Sequence, residues 1–213
     1  MFELFDPRQE LVIRRGHLPH WYQPGVTYFV TFRTDDSVPQ GVLRSWHERR
    51  ALWLRDHGID PTAATWRERL AQSPDDERQF HALFTREFMN YLDRGYGACP
   101  LRRPDAAQCV ASALSHFDGD RYTLGDFVVM PNHVHLIVCL HGATEVEAQC
   151  KSWKTFSAGR LNRLLGRRGR FWQEESFDHL VRSPEQFEHF RRYIADNPLK
   201  ANLKPGEFLH QAK

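Results

Sequence analysis

Residues 128–138, VVMPNHVHLIV, constrain the fold of this chain more than any other stretch. The run is apolar and β-branched apart from Pro131-Asn132, which reads as a tight turn, so the pattern predicts strands over 121–130 and 133–141. Side chains alternate faces along a strand, which puts His133, His135, Ile137 and Cys139 on one side and Val134, Leu136, Val138 and Leu140 on the other. The second set is read as the core face. The two imidazoles then project side by side from the opposite face, near enough for both to reach one cation. His-x-His alone also describes surface or hydrogen-bonded histidines on a half-exposed sheet. A histidine-triad nucleotide hydrolase would need a third histidine where Ile137 stands.

GVTYFVTFRT, 25–34, follows a Pro-Gly turn and predicts the first strand. Apolar residues at three- and four-residue spacing predict amphipathic helices over 43–57 and 77–94, with one short helix between them, and a further helix covers 105–117. Thr144-x-x-Glu147 has the spacing of a capping box for a helix running to Leu165 and stopping at Gly166. Ser183-Pro184-Glu185-Gln186 supplies an N-cap serine, a first-turn proline and a glutamine for a last helix, which Pro198 should end at Asn197. One strand, helices, two adjacent strands and helices again predict an α+β fold, a mainly antiparallel sheet with helices packed on one face. With 213 residues, no repeat and no linker, a single domain over 1–213 is expected.

The longest apolar run, around 134–140, is too short to span a bilayer. MFELFDPRQE lacks the basic-then-apolar order of a secretory signal, so a cytoplasmic protein is expected. The 4 cysteines form no C-x-x-C pair, which argues against a zinc ribbon and a disulfide framework. A formal charge of +2 conceals a strong asymmetry. No acid falls between Glu147 and Glu174, whereas Lys151, Lys154, Arg160, Arg163, Arg167, Arg168 and Arg170 do. A stripe of this kind neutralises phosphates, so contact with nucleic acid is favoured over a merely solvated helix face. Trp153, Phe156, Phe171 and Trp172 interleave with these cations and can stack on bases, although Trp172 is read as core. No G-x-x-x-x-G-K-[ST] loop is present for ATP.

Tyr193 and Asn197 are four apart and share a helix face. A tyrosine hydroxyl can be a nucleophile, and an asparagine amide oxygen can join two imidazoles in one site. The residues alone equally allow Tyr193 to pack beside Phe187, Phe190 and Ile194, with Asn197 ending the helix.

With these segments in this order the chain resembles the Y1 transposases of the insertion-sequence-200 type, which are HUH enzymes, and within them the REP-associated tyrosine transposases. LPHWYQPGVTYFVTFR resembles the family's opening strand and VVMPNHVHLIV its His-hydrophobe-His strand. KSWKTFSAGRLNRLLGRRGRFWQEESFDHLVR resembles its basic helix and following W-Q…D-H-x-x-R segment, and YIADNPLKANL its nucleophile helix. Residues 38–118 match less distinctly and receive no function. The resemblance implies a ferredoxin-like HUH fold in which His133 and His135 bind a divalent metal, Mg²⁺ or Mn²⁺, with Asn197 as third ligand and Tyr193 as nucleophile. Asp178, His179 and Arg182 would orient the nucleophile helix. The implied partner is single-stranded DNA folded as REP-like hairpins. The implied activity is endonuclease and strand transfer through a 5′-phosphotyrosine, in a nucleoid-associated protein that acts as a monomer or homodimer. Two other classes stay open: a domesticated hairpin-binding protein without cleavage, and a metal-dependent hydrolase that uses water in place of Tyr193.

Overall fold

The computed structural model describes residues 2–9, 12–14, 20–63 and 65–213; Leu18 and Pro19 of the opening-strand segment lie outside the described residues. A small antiparallel ladder, β1 (Val12–Arg14) with β2 (His20–Tyr22), precedes β3 (Thr27–Arg33). Helices α1 (Gln40–Asp56), α2 (Trp66–Ala71), α3 (Pro74–Phe80), α4 (Arg86–Asp93) and α5 (Pro104–Ser115) follow. Then come β4 (Tyr122–Val129), β5 (His133–Leu140), α6 (Val146–Leu164), β6 (Phe177–Leu180), α7 (Pro184–Lys200) and β7 (Leu209–Gln211). Strands pair in the order β6-β3-β5-β4-β7, antiparallel throughout. The α+β class and the antiparallel sheet agree with the sequence. Among the described residues no helix is long and apolar enough to cross a membrane.

The helices do not lie on one face. Val134, Leu136, Val138 and Leu140 of β5 meet Val110 and Leu114 of α5 and Trp153 and Leu161 of α6. On the other side Ile137 joins Phe29, Val128 and Ile194 of α7 in a second core. All eight residues of β5 are buried, so β5 offers no half-exposed face for surface histidines. Ile137 and Cys139, apolar on the histidine side, already fit a strand covered on both faces.

The segment expected as one helix over 77–94 is broken by a π-helical turn, His81–Thr85, between α3 and α4. The Thr144/Glu147 capping box does not form: α6 begins at Val146 behind Glu145, with no side-chain cap. The cap of α7 does form, as Ser183 Oγ accepts the Gln186 N–H at 3.2 Å. This helix runs three residues past Asn197, carrying Pro198 in its last turn. So near the end, proline removes one hydrogen bond at most. Packing outweighs that loss, since Ile194, Asn197 and Pro198 are all buried. The short strands β6 and β7 have too few residues to show a periodic pattern.

At the start of α7 Gln186 has both ends of its amide assigned. Its Oε1 accepts the Arg182 N–H at 2.7 Å, so its Nε2–H donates to His179 Nε2 at 2.9 Å, which requires a neutral imidazole there. Burial, aided by the charges of Arg182, His81 and Arg67, pushes His179 down to about 3. The folded pKa thus lies below the unfolded one. Stability is full above the unfolded value of 6.5 and falls as the pH drops from there towards 3. Between pH 6.5 and 5 the loss from this one group should be about 1–2 kcal/mol. Thermal unfolding at pH 7.5 and pH 5 should show a larger acid-induced drop for wild type than for His179→Gln; equal drops would refute this.

Candidate metal and nucleophile site

β5 aligns His133 opposite Arg33 and His135 opposite Thr31 of β3. The two rings stand 4.6 Å apart between centroids, at 72° to each other. Each is anchored through Nδ1. Asn132 Nδ2 donates to the Tyr96 carbonyl at 2.8 Å, which turns Asn132 Oδ1 towards His133 Nδ1, 2.7 Å away. An amide oxygen only accepts, so His133 carries a proton on Nδ1 and turns Nε2 towards the rest of the site. Thr31 Oγ1 lies 2.7 Å from His135 Nδ1 and holds the orientation of that ring. Burial, with His133 beside it, holds the His135 pKa well below 6.5, so this imidazole is in the neutral form a cation needs.

Both Nε2 atoms are buried without a hydrogen-bond partner. Asp93, the last residue of α4, faces them: its Oδ1 is 3.5 Å from His133 Nε2 and accepts from Asn197 Nδ2 at 3.1 Å. Donor atoms of Asp93, His133 and His135 all lie within 4.8 Å of one another. Two imidazoles and a carboxylate suit a divalent cation with positions left open for other oxygens. The sequence reading missed Asp93, which lies in the region given no function, and no spacing ties it to His133.

Helix α7 lays Tyr193 on the same side of the sheet. Its ring meets His135 edge-on at 5.2 Å and Phe29 at 5.8 Å. The Tyr193 hydroxyl and Asn197 Oδ1 are likewise buried with no hydrogen-bond partner. Burial foremost, then the charge of Asp93, pushes the phenol above its ordinary 10; the nearby Asn197 amide acts weakly against this without reaching hydrogen-bonding geometry. His133, His135, Tyr193 and Asn197 are therefore brought together as the sequence suggested. Of the proposed supporting residues, Asp178 is buried in β6 and His179 bonds Gln186 of α7.

The basic stripe lies apart. Helix α6 packs on the opposite face of the sheet from α7. Lys151, Arg160, Arg163, Arg168 and Arg170 are exposed, and Arg167 is half-buried with its guanidinium 5.5 Å from the Phe171 ring. Lys154 differs from the others: its ammonium donates to the Gln173 and Glu174 carbonyls at 3.2 and 2.5 Å. That contact laces α6 to the segment before β6. Of the four interleaved aromatics, Trp153, Phe171 and Trp172 are buried, with the indoles bonded to Tyr122 and Ser157. Phe156 alone among the four is exposed, under the Arg160 guanidinium at 4.2 Å.

A scan of protein-family models finds no match to this chain, and a search of curated proteins finds none. Among solved structures, a REP-associated tyrosine transposase bound to a REP hairpin aligns over 85% of this chain and 71% of its own, at 16% identity and a TM-score of 0.45.

Proposed function

We propose that this chain, working as one domain, is a metal-dependent single-strand DNA transesterase that binds hairpin DNA of the REP type and cleaves and rejoins it through a 5′-phosphotyrosine. One observation carries the reading: four buried polar atoms, His133 Nε2, His135 Nε2, Tyr193 Oη and Asn197 Oδ1, lack partners beside a carboxylate. Unsatisfied buried polar atoms each cost about 1–3 kcal/mol, so four together point to a missing ligand rather than to packing. The four motifs that resemble REP-associated tyrosine transposases support the same assignment.

His133, His135 and Asp93, with Asn197 as a further oxygen donor, would hold Mg²⁺ or Mn²⁺. Bound there, the cation supplies Lewis-acid stabilisation of a scissile phosphate oxygen. The other roles belong to side chains. Asn132 and Thr31 hold the two rings through Nδ1, with both Nε2 atoms turned to the same side. Asn197 holds the Asp93 carboxylate. Helix α7 presents the Tyr193 oxygen for in-line attack. The new bond joins that oxygen to phosphorus, the phosphorus–O3′ bond breaks, the phenol loses its proton and the 3′ oxygen gains one. Phe29 meets the Tyr193 ring edge-on and sets its position.

The exposed cations of α6 would grip the hairpin. Replacing Arg160 and Arg163 with glutamine should weaken hairpin binding and lower the slope of log affinity against log salt by about 0.7–0.9 for each phosphate that is no longer neutralised. Affinity for Mn²⁺ should not change. An unaltered salt slope would return α6 to a solvated face.

The reading is tested with a labelled single-stranded hairpin, purified protein and Mn²⁺ or Mg²⁺. A denaturant-resistant protein–DNA adduct that requires metal is expected. Tight binding with neither adduct nor cleavage would mean a hairpin binder, and cleavage without adduct a water-using hydrolase.

A further inference from the structure

A cavity of about 120 Å³ lies between α1–α4 and the β3/β6 edge of the sheet, and Thr31, Met89 and Leu92 bring its wall to the residues that hold His135 and Asp93. Four arginines line it: Arg182, which pairs with Glu77, and Arg33, Arg50 and Arg67. None of the last three forms an ion pair with a carboxylate among the described residues. They rest on aromatic faces instead. The Arg50 guanidinium lies 5.0 Å from the Trp46 ring and 5.6 Å from Trp66, Arg67 lies 5.2 Å from Trp66, and Arg33 lies 5.3 Å from Phe88.

Arginines held by rings keep their N–H edges available, which is how a guanidinium is prepared for a phosphate. Arg50 Nε is buried with no hydrogen-bond partner, and Arg33 donates a side-chain hydrogen bond to Ser37 at 3.3 Å. The acids on the wall do not meet this need. Glu77 is taken by Arg182 at 3.4 Å, while Glu175 and Asp178 act on the arginines through space. Burial holds Arg33 and Arg50 down to about 10, still fully charged at neutral pH. Desolvated cations with no carboxylate in direct contact are costly, and an anion bonded to them offsets that cost.

We infer that this cavity is a second DNA-binding subsite that takes one unpaired nucleotide of the strand at its mouth, with its phosphate on Arg50 and Arg67 and its base against Trp46 and Phe88, two half-buried rings of the wall. Phosphate on guanidinium and base on ring are the two contacts by which single strands are held without pairing. The region 38–118, silent in sequence, would thereby place the strand next to the scissile phosphate. The inference rests on the reading of the chain as a single-strand DNA enzyme. Its test uses neither metal nor Tyr193, so either can fail without the other.

The full chain is titrated with a fluorescent deoxythymidine decamer in the absence of metal. Arg50→Gln and Arg67→Gln should each weaken binding roughly tenfold and lower the salt slope by about 0.7. Arg50→Lys should keep the slope and lose part of the affinity, because it retains charge without the fork. Wild-type affinity and slope in both glutamine variants would overturn the subsite. Because these arginines support tryptophans, photo-crosslinking of wild type with a 4-thiothymidine decamer decides the matter independently of variant stability. Crosslinks to peptides carrying Trp46 or Phe88 are expected, and crosslinks confined to α6 would overturn it.

Discussion

Tyr193→Phe should abolish the covalent protein–DNA adduct and lower strand cleavage by roughly 10³-fold or more, as loss of a nucleophile does in enzymes whose catalytic groups act as a unit. Hairpin affinity should be retained. The variant should also melt at or slightly above the wild-type temperature. The Tyr193 hydroxyl is buried without a partner, so its removal forfeits no hydrogen bond and relieves a desolvated oxygen, a change of up to about 1 kcal/mol. The contacts with Phe29 and His135 belong to the ring, which phenylalanine keeps. Cleavage that survives the substitution would assign the chemistry to water. A variant that is inactive and also far less stable would show Tyr193 to be a packing residue first.

Asp93→Asn should separate metal binding from packing. The Asp93 Oδ1 that lies 3.5 Å from His133 Nε2 also accepts from Asn197 Nδ2, and the amide oxygen of an asparagine can keep that second contact. The metal-free variant should therefore stay within about 1 kcal/mol of wild type. Loss of the anionic ligand should weaken Mn²⁺ binding by at least about 100-fold, since even outer-shell changes cost 10–100-fold. Thermal unfolding reads the difference. Wild type should gain about 2.7 kcal/mol at Mn²⁺ a hundredfold above its dissociation constant, whereas the variant should gain about 0.4 kcal/mol or less. Equal Mn²⁺ responses would remove Asp93 from the site.

What was legible in the sequence was local. The alternation in β5 put His133 and His135 on one side, and the serine–proline start of α7 fixed the helix that carries Tyr193 and Asn197. Both patterns depend on a few neighbouring residues whose side chains point by geometry alone. Asp93 was invisible because only the tertiary path of α4 brings it to His133. The covering of both sheet faces was misread because a pair of histidines looks like a solvent-facing position, although hydrogen bonds to both Nδ1 atoms let the two rings be buried. Pro198 failed as a stop signal because burial of Asn197 outweighed a backbone preference. Lys154 and Trp153 counted towards a nucleic-acid stripe by composition, yet one laces backbone carbonyls and the other fills the core.

The most direct measurement is a titration of the purified chain with Mn²⁺ followed by electron paramagnetic resonance, reading couplings from ligand nitrogens. The geometry predicts one tightly held ion per chain with two imidazole couplings, one of them absent in His133→Ala and the other in His135→Ala. A folded protein that binds no Mn²⁺, or binds it without nitrogen coupling, would contradict a cation site at His133 and His135.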